Sequence, residues 1–215
     1  SNAPGMKINF NFDSENEAAR KINRNVDFRR ALSLAIDRQA ISRTLAFDLM
    51  TPIGAAWAPD SPYFDEKSGY LYSEYDPEKA KKILDDANII DRDNDGVREL
   101  PSGEKLELIW DMYAHDLYTP MSEMIVETVK EVGINLILNE KHQTLHNKNF
   151  TSGNFELSTH DFESYNEPLL MIDKWIPTKP GSPNFHVKAY EKGGFSSEYN
   201  EFTRLLKQAN TTSIE

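Results

Sequence analysis

Between Leu106 and Thr159 the hydrophobic period changes repeatedly, and this alternation limits the possible folds more than any other feature of the chain. LELIWDM (Leu106–Met112) reads as a strand. Thr119-Pro120 then opens a helix that sets Met121, Met124, Ile125, Val129 and Val132 on one side, and Gly133 stops it. INLIL (Ile134–Leu138) and FELST (Phe155–Thr159) read as two further strands, with a short helix over Gln143–Phe150 between them. Strands alternating with helices define the α/β class, here with a mixed β-sheet flanked by helices around one core.

The flanking segments fit that class. KINFNF (Lys7–Phe12) alternates Ile8, Phe10 and Phe12 with polar residues, the period of a half-buried strand. From Asp27, taken as a cap, Phe28, Ala31, Leu32, Ala35 and Ile36 recur at helical spacing. Asp37 can cap a second helix that turns Ile41 and Leu45 inward. Asp76 reads as the cap of another, with Pro77 at its first position, Ala80, Ile83, Leu84 and Ala87 as its apolar stripe, and Asn88 as its left-handed end. Met50–Tyr75 between them is irregular and rich in Pro, Gly and aromatics, and loops of that length are usually functional or mobile. Pro168–Trp175 and Glu198–Asn210 are expected to be helical.

Composition removes several function classes. With 24 Lys and Arg against 35 Asp and Glu the formal charge is −11, which argues against nucleic acid as a partner. The chain has no Cys, so disulfide frameworks, thiolate metal centres and thiol catalysis are excluded. No apolar run is long enough to span a bilayer. Ser1-Asn2-Ala3 reads as a scar of tag cleavage; residues 1–6 are set aside as that scar and a disordered start, and residues 7–215 as one α/β unit.

Three groups of residues carry candidate chemistry. In DRDNDGVRE, Asp91, Asp93 and Asp95 stand two apart before Gly96, as in the first half of a calcium loop, and Glu99 could contribute from the ninth position. Ser102 occupies the twelfth position, where the loop rule wants Glu, and an Asx-rich turn before a hairpin explains the same residues. The pattern points to no cofactor other than a structural Ca2+, with Asp91, Asp93, Asp95 and Glu99 as its candidate ligands. His142 and His146, four apart, could share a helix face and hold a metal, although no flanking acid completes a metalloprotease pattern. FELST is followed by Asp161, Phe162, Glu163, Tyr165, Asn166 and Glu167, acids, aromatics and an amide beyond a strand end, where α/β sheets meet ligands. An aromatic beside carboxylates suits a partner with an apolar part and a positive end, such as a peptide amino terminus. No phosphate-cradling Gly loop or nucleophile elbow is present, and enzyme activity is not expected.

Taken in order, NVDFRRALSLAIDRQAI, PIGAAWAPDSPYFDE, YDPEKAKKILDDANIIDRDNDGVRE, GINLIL, NFELSTHDFESYNEP and GGFSSEYNEFTRLL resemble the second lobe of extracellular solute-binding proteins of family 5. These are the oligopeptide-, dipeptide- and nickel-binding components of ABC importers. The resemblance implies a periplasmic-binding-protein-like type II fold of which this chain is a single, excised lobe, with the N-terminal lobe missing. It implies a peptide or small solute held between two lobes and handed to ABC permease subunits. The location would be the outer face of the cytoplasmic membrane, through a lipid anchor, or a periplasm. Phe162 with Glu163 or Asp161 would fill the roles of the aromatic and the acid that meet a peptide amino terminus, with Tyr165, Asn166 and Glu167 in the matching run. Trp57 and Tyr63 would form the cleft wall, and Thr159 stands where one such receptor has an Arg for a peptide carboxylate. A nickel or metal-chelate receptor is the alternative within the family, and a metal-dependent hydrolase the alternative outside it.

Overall fold

Residues 5–54, 61–161 and 197–211 are described by a computed structural model. Their elements run β1 (Met6–Phe10), α1 (Glu17–Arg24), α2 (Val26–Leu34), α3 (Arg38–Ala46), α4 (Glu66–Gly69) and α5 (Pro77–Asp86). Then come β2 (Glu107–Tyr113), α6 (Tyr118–Lys130), β3 (Asn135–Lys141), α7 (Gln143–Ser152), β4 (Leu157–Asp161) and α8 (Ser197–Thr211). The strands form one sheet in the order β1-β4-β2-β3. β2 runs parallel to β3 and to β4, whereas β1 pairs antiparallel with β4 from Met6 opposite Asp161 to Phe10 opposite Leu157.

The strand periods explain which face is closed. Leu108, Trp110 and Met112 of β2 point one way and are buried, as are Leu136 of β3 and Leu157 of β4. Leu108, Trp110, Leu136 and Leu157 share a core with Phe28, Ala31 and Leu32 of α2, Ala80 and Leu84 of α5, and Met121, Ile125 and Val129 of α6. Each fully buried Leu or Met adds about 1.5–3 kcal/mol over an exposed one. The opposite face carries Ile109 and Ile137, cross-strand partners that stay half-exposed, and then Asp111 and Ser158, which α7 covers.

Several expected boundaries move, each for a local reason. The cap of α2 is Asn25, whose Oδ1 accepts the N–H groups of Asp27 at 2.8 Å and Phe28 at 3.1 Å; Asp27 lies in the first turn and pairs with Arg30. A helix, α1, precedes it, capped by Asn16, although no helix was expected there. Asp37, Asp76 with Pro77, Asn88 and Gly133 act as expected, Gly133 at a φ of +82° that side chains disfavour. The irregular stretch contains a short helix, α4, capped by Asp65. β4 begins two residues later than expected, and Asp161 is its last residue rather than the first of a loop, because β1 extends the ladder to that point. α8 is present, and Pro168–Trp175 lies outside the described residues.

β1 stops at Phe10 because Asn11 begins a turn, its Oδ1 accepting the N–H of Asp13 at 3.0 Å. Its buried Nδ2 donates to the carbonyls of Gly153 at 2.8 Å and Phe155 at 2.7 Å. Buried Asn23 from α1 donates to the carbonyls of Asn11 and Glu156 beside them. This pair of amides ties the start of the chain to the approach to β4. Asn11→Ala leaves two carbonyls without donors and is expected to cost about 2–3 kcal/mol, read as a lower urea midpoint at unchanged slope. Loss of less than about 0.5 kcal/mol would show that the staple is dispensable.

Candidate functional site

Because β2, β3 and β4 are parallel, their carboxyl ends come out at one edge of the sheet, the edge where open α/β sheets hold ligands. At that edge Asp111 is buried on the α7 side, paired with Lys141 and accepting from Asn139 Nδ2 at 2.9 Å. His146 from α7 sits next to it, also buried, with Nε2 at 2.9 Å from Ser158 Oγ and Nδ1 at 3.5 Å from Asn147 Oδ1. Aromatic rings complete the platform. Tyr113 meets His146 edge-on at 5.1 Å, and Phe150 stacks on His160 at 4.6 Å and on Phe155 at 5.5 Å.

The charges at this edge are settled internally. Burial pushes the pKa of His146 below its ordinary value, against a smaller upward pull from Asn147 and Asp111, so the ring is neutral at pH 7. Asp111 already has a cation in Lys141. The His146–Ser158 contact has the spacing of a base and a nucleophile, yet both residues are about 1% exposed, so a substrate has no approach to either. The group is a sealed support beneath the carboxyl end of β4.

Of the residues expected to meet ligand, Asp161 has its backbone at the end of β4, opposite Met6. Trp57, Phe162, Glu163, Tyr165, Asn166 and Glu167 lie outside the described residues. Thr159 is fully enclosed, with its Oγ1 buried and lacking a hydrogen-bond partner. The two histidines expected to share a face do not converge on a metal: His142 caps α7 through Nδ1, and His146 is occupied by Ser158. Asp91, Asp93, Asp95 and Glu99, in contrast, do come together. The Asp111–Lys141 pair and the buried role of His146 are not evident from residue spacing. An imidazole four residues before Phe150 in an otherwise polar helix was the available signal.

A cavity of about 360 Å3 lies away from this edge, lined by Arg38 and Gln39 of α3 and by Pro52, Tyr70, Glu74 and Tyr75 of the long loop. Arg38 donates to Ser33 O at 2.7 Å and Ser33 Oγ at 2.8 Å, and burial lowers its pKa to about 10, so it stays charged and serves the backbone.

A mixed sheet of this order, flanked by helices, is the fold of periplasmic-binding-protein-like chains. The family model for bacterial extracellular solute-binding proteins, family 5 (middle region), matches residues 3–175, and the chain belongs to that family. It is 27% identical over 194 residues to the periplasmic alpha-galactoside-binding protein of Rhizobium meliloti (strain 1021), covering 84% of this chain and 27% of that protein. Among solved structures, the oligopeptide-binding protein OppA superposes with a TM-score of 0.82 at 25% identity, covering 98% of this chain and 37% of the other. The periplasmic binding protein MelB from Agrobacterium fabrum C58, solved with stachyose, superposes with a TM-score of 0.79 at 18% identity, covering 98% and 34%. The chain therefore spans about a third of the length of these relatives.

Acidification tests the sealed platform. An unfolded chain takes up a proton at His146 near pH 6.5, whereas the native chain resists until its lower pKa is reached. This contribution to stability is intact above the unfolded pKa and is lost as pH falls below it. The gap in urea midpoint between wild type and His146→Gln is expected to narrow from about pH 7.5 to about pH 5. A gap that stays constant or widens would show that this ring is not held neutral.

Proposed function

We propose that this chain forms one lobe of the solute receptor of an ABC importer, in which cargo is gripped between two lobes and delivered unchanged to the permease. The receptor would act outside the cytoplasmic membrane, in a periplasm or on a lipid anchor. The observation that carries this reading is the common carboxyl edge of β4, β2 and β3, from which the run Asp161-Phe162-Glu163 follows directly in sequence. A rigid platform at that edge would fix the root of the ligand-bearing segment, while the segment itself supplies varied polar and aromatic groups.

Oligopeptide is the first cargo class. Glu163, or Asp161, would accept the peptide amino terminus, Phe162 would pack on its first residue, and Tyr165, Asn166 and Glu167 would bond main chain or bridging water. Trp57 and Tyr63 would supply the opposite wall. The name of OppA supports this class. An α-galactoside is the second, favoured by the name of the Rhizobium meliloti relative. The same aromatics and carboxylates would serve it, rings stacking on sugar faces and acids accepting hydroxyl groups. Neither reading requires a bond to be broken.

Calorimetry on the full receptor carrying this lobe distinguishes them. The peptide class expects binding of free-amino peptides that weakens by about tenfold or more on N-acetylation or in Glu163→Gln, the worth of one charge-assisted hydrogen bond. The galactoside class expects saturable heat with α-galactosides and no response to acetylated or free peptides. Hydrolysis of any titrant would overturn both. The 215-residue chain alone is expected to bind either cargo far more weakly than the full receptor, since it offers part of the contacts against the same loss of freedom. Submicromolar binding by it alone would contradict the two-lobe reading.

A further inference from the structure

The loop from α5 to β2 lies at the amino ends of the parallel strands, the edge of the sheet opposite the one discussed above. Three carboxylates in it are held by their own turns: Asp91 Oδ2 accepts from Gly96 N at 2.9 Å, Asp93 Oδ1 from Asp95 N at 3.3 Å, and Asp95 Oδ1 from Val97 N at 2.9 Å. Each is left with one oxygen for another partner. Glu99 joins them from the backbone bridges that tie it to Ile90 and to Lys105. One carboxylate oxygen from each of the four acids lies within 4.8 Å of those of the others.

Turns made by acids are common without an ion, and the deciding observation is Glu99. It is 6% exposed; its Oε2 accepts from Arg92 N at 2.8 Å, while its Oε1 is buried with no hydrogen-bond partner. Asp91 Oδ1 is likewise buried and unpartnered. Leaving a carboxylate oxygen dry and unpaired is costly, and a shared cation removes the cost from both at once. On the exposed side, Lys105 reaches back across the hairpin and pairs with Asp93, at 3.2 Å, and with Asp95. Its ammonium covers the two outer acids; the Arg92 guanidinium stands 3.9 Å from Glu99 Oε2, and Glu99 Oε1 and Asp91 Oδ1 remain without a hydrogen-bond partner.

We propose that Asp91, Asp93, Asp95 and Glu99 form a calcium site, and that Lys105 is a tethered stand-in cation that swings away when Ca2+ enters. The spacing admits calcium, whose ligands stand at most about 5 Å apart, and a flexible loop of carboxylates suits Ca2+ better than Mg2+, which demands a near-ideal octahedron and keeps several waters. The donors are all hard oxygens, and the carbonyl at the seventh loop position, Val97, and water complete the shell. With Ser102 at the twelfth position in place of a bidentate acid, affinity falls in the range of extracellular modules, with Kd about 0.1–1 mM. Bound calcium would clamp the end of α5 to the start of β2.

The test is calorimetry and thermal melting of the chelator-treated chain with CaCl2, with MgCl2 as control at equal ionic strength. Saturable binding of one Ca2+ per chain with a rise in Tm is expected, magnesium being at least about tenfold weaker. Asp93→Asn keeps the turn but loses a charge, and is expected to abolish the calcium response while keeping the circular dichroism of the wild type. If that variant misfolds, Glu99→Gln takes its place. Lys105→Met is expected to bind calcium about fivefold more tightly, the worth of an exposed ion pair, and to melt lower than wild type without calcium. No saturable calcium binding, or a response equal in wild type and Asp93→Asn, would overturn the site. Unchanged or weaker affinity in Lys105→Met would overturn the displacement.

Discussion

Strand β2 is hydrogen-bonded on both sides to strands running its own way, and the rest of the molecule is arranged around that fact. A parallel strand has no tight turn to its neighbour, so each pairing requires a crossover, and the crossovers must be laid over the faces of the sheet. Here α6 links β2 to β3 on the closed face, and α7, between β3 and β4, covers the carboxyl half of the other. The half-exposed pair Ile109 and Ile137 marks where that second cover ends. Antiparallel β1 is the exception, and buried amides rather than a crossover secure it.

The same direction of strands separates two kinds of polar chemistry. At the carboxyl edge, Asp111, Lys141, His146 and Ser158 satisfy one another within the protein, which makes that edge stiff and chemically quiet. A support of that kind holds the residues built on it in a fixed geometry. At the amino edge, the Asp91–Glu99 loop leaves Asp91 Oδ1 and Glu99 Oε1 without hydrogen-bond partners, at the opposite end of the parallel strands.

Much of this was legible in the sequence wherever one short-range rule governs. Asp37, Asp76, Pro77, Asn88 and Gly133 punctuate helices through their own backbone preferences, and each stands in the expected place. The strands were visible by period, but their ends were set by partners: β4 extends to Asp161 because β1 lies opposite, and nothing near residue 161 announces a strand near residue 6. Helix α1 was missed because its face is short and its signals are asparagines, Asn16 and Asn25, which read equally as turn formers. The cap of α2 was misplaced by two residues for a related reason, since Asn25 and Asp27 both suit a helix start and only packing selects between them. Of the candidate sites, the DRDNDG loop was readable because all four acids fall within nine residues. The Asp111–Lys141 and His146–Ser158 contacts join separate elements, and residue spacing is blind to them.

Separation along the chain also sets an order of assembly. Asp111 and Asn139, across β2 and β3, are 28 positions apart, whereas Asn9 and Ser158, across β1 and β4, are 149 apart. Closing the longer loop costs more entropy, which favours the β2–α6–β3 unit as the earlier pairing and β1 as the later one. Contacts made after the rate-limiting barrier act on escape from the native state rather than on arrival. With β1 docking late, the amide staple of Asn11 and Asn23 would act as a kinetic latch, governing how long the finished sheet stays closed rather than how quickly it forms.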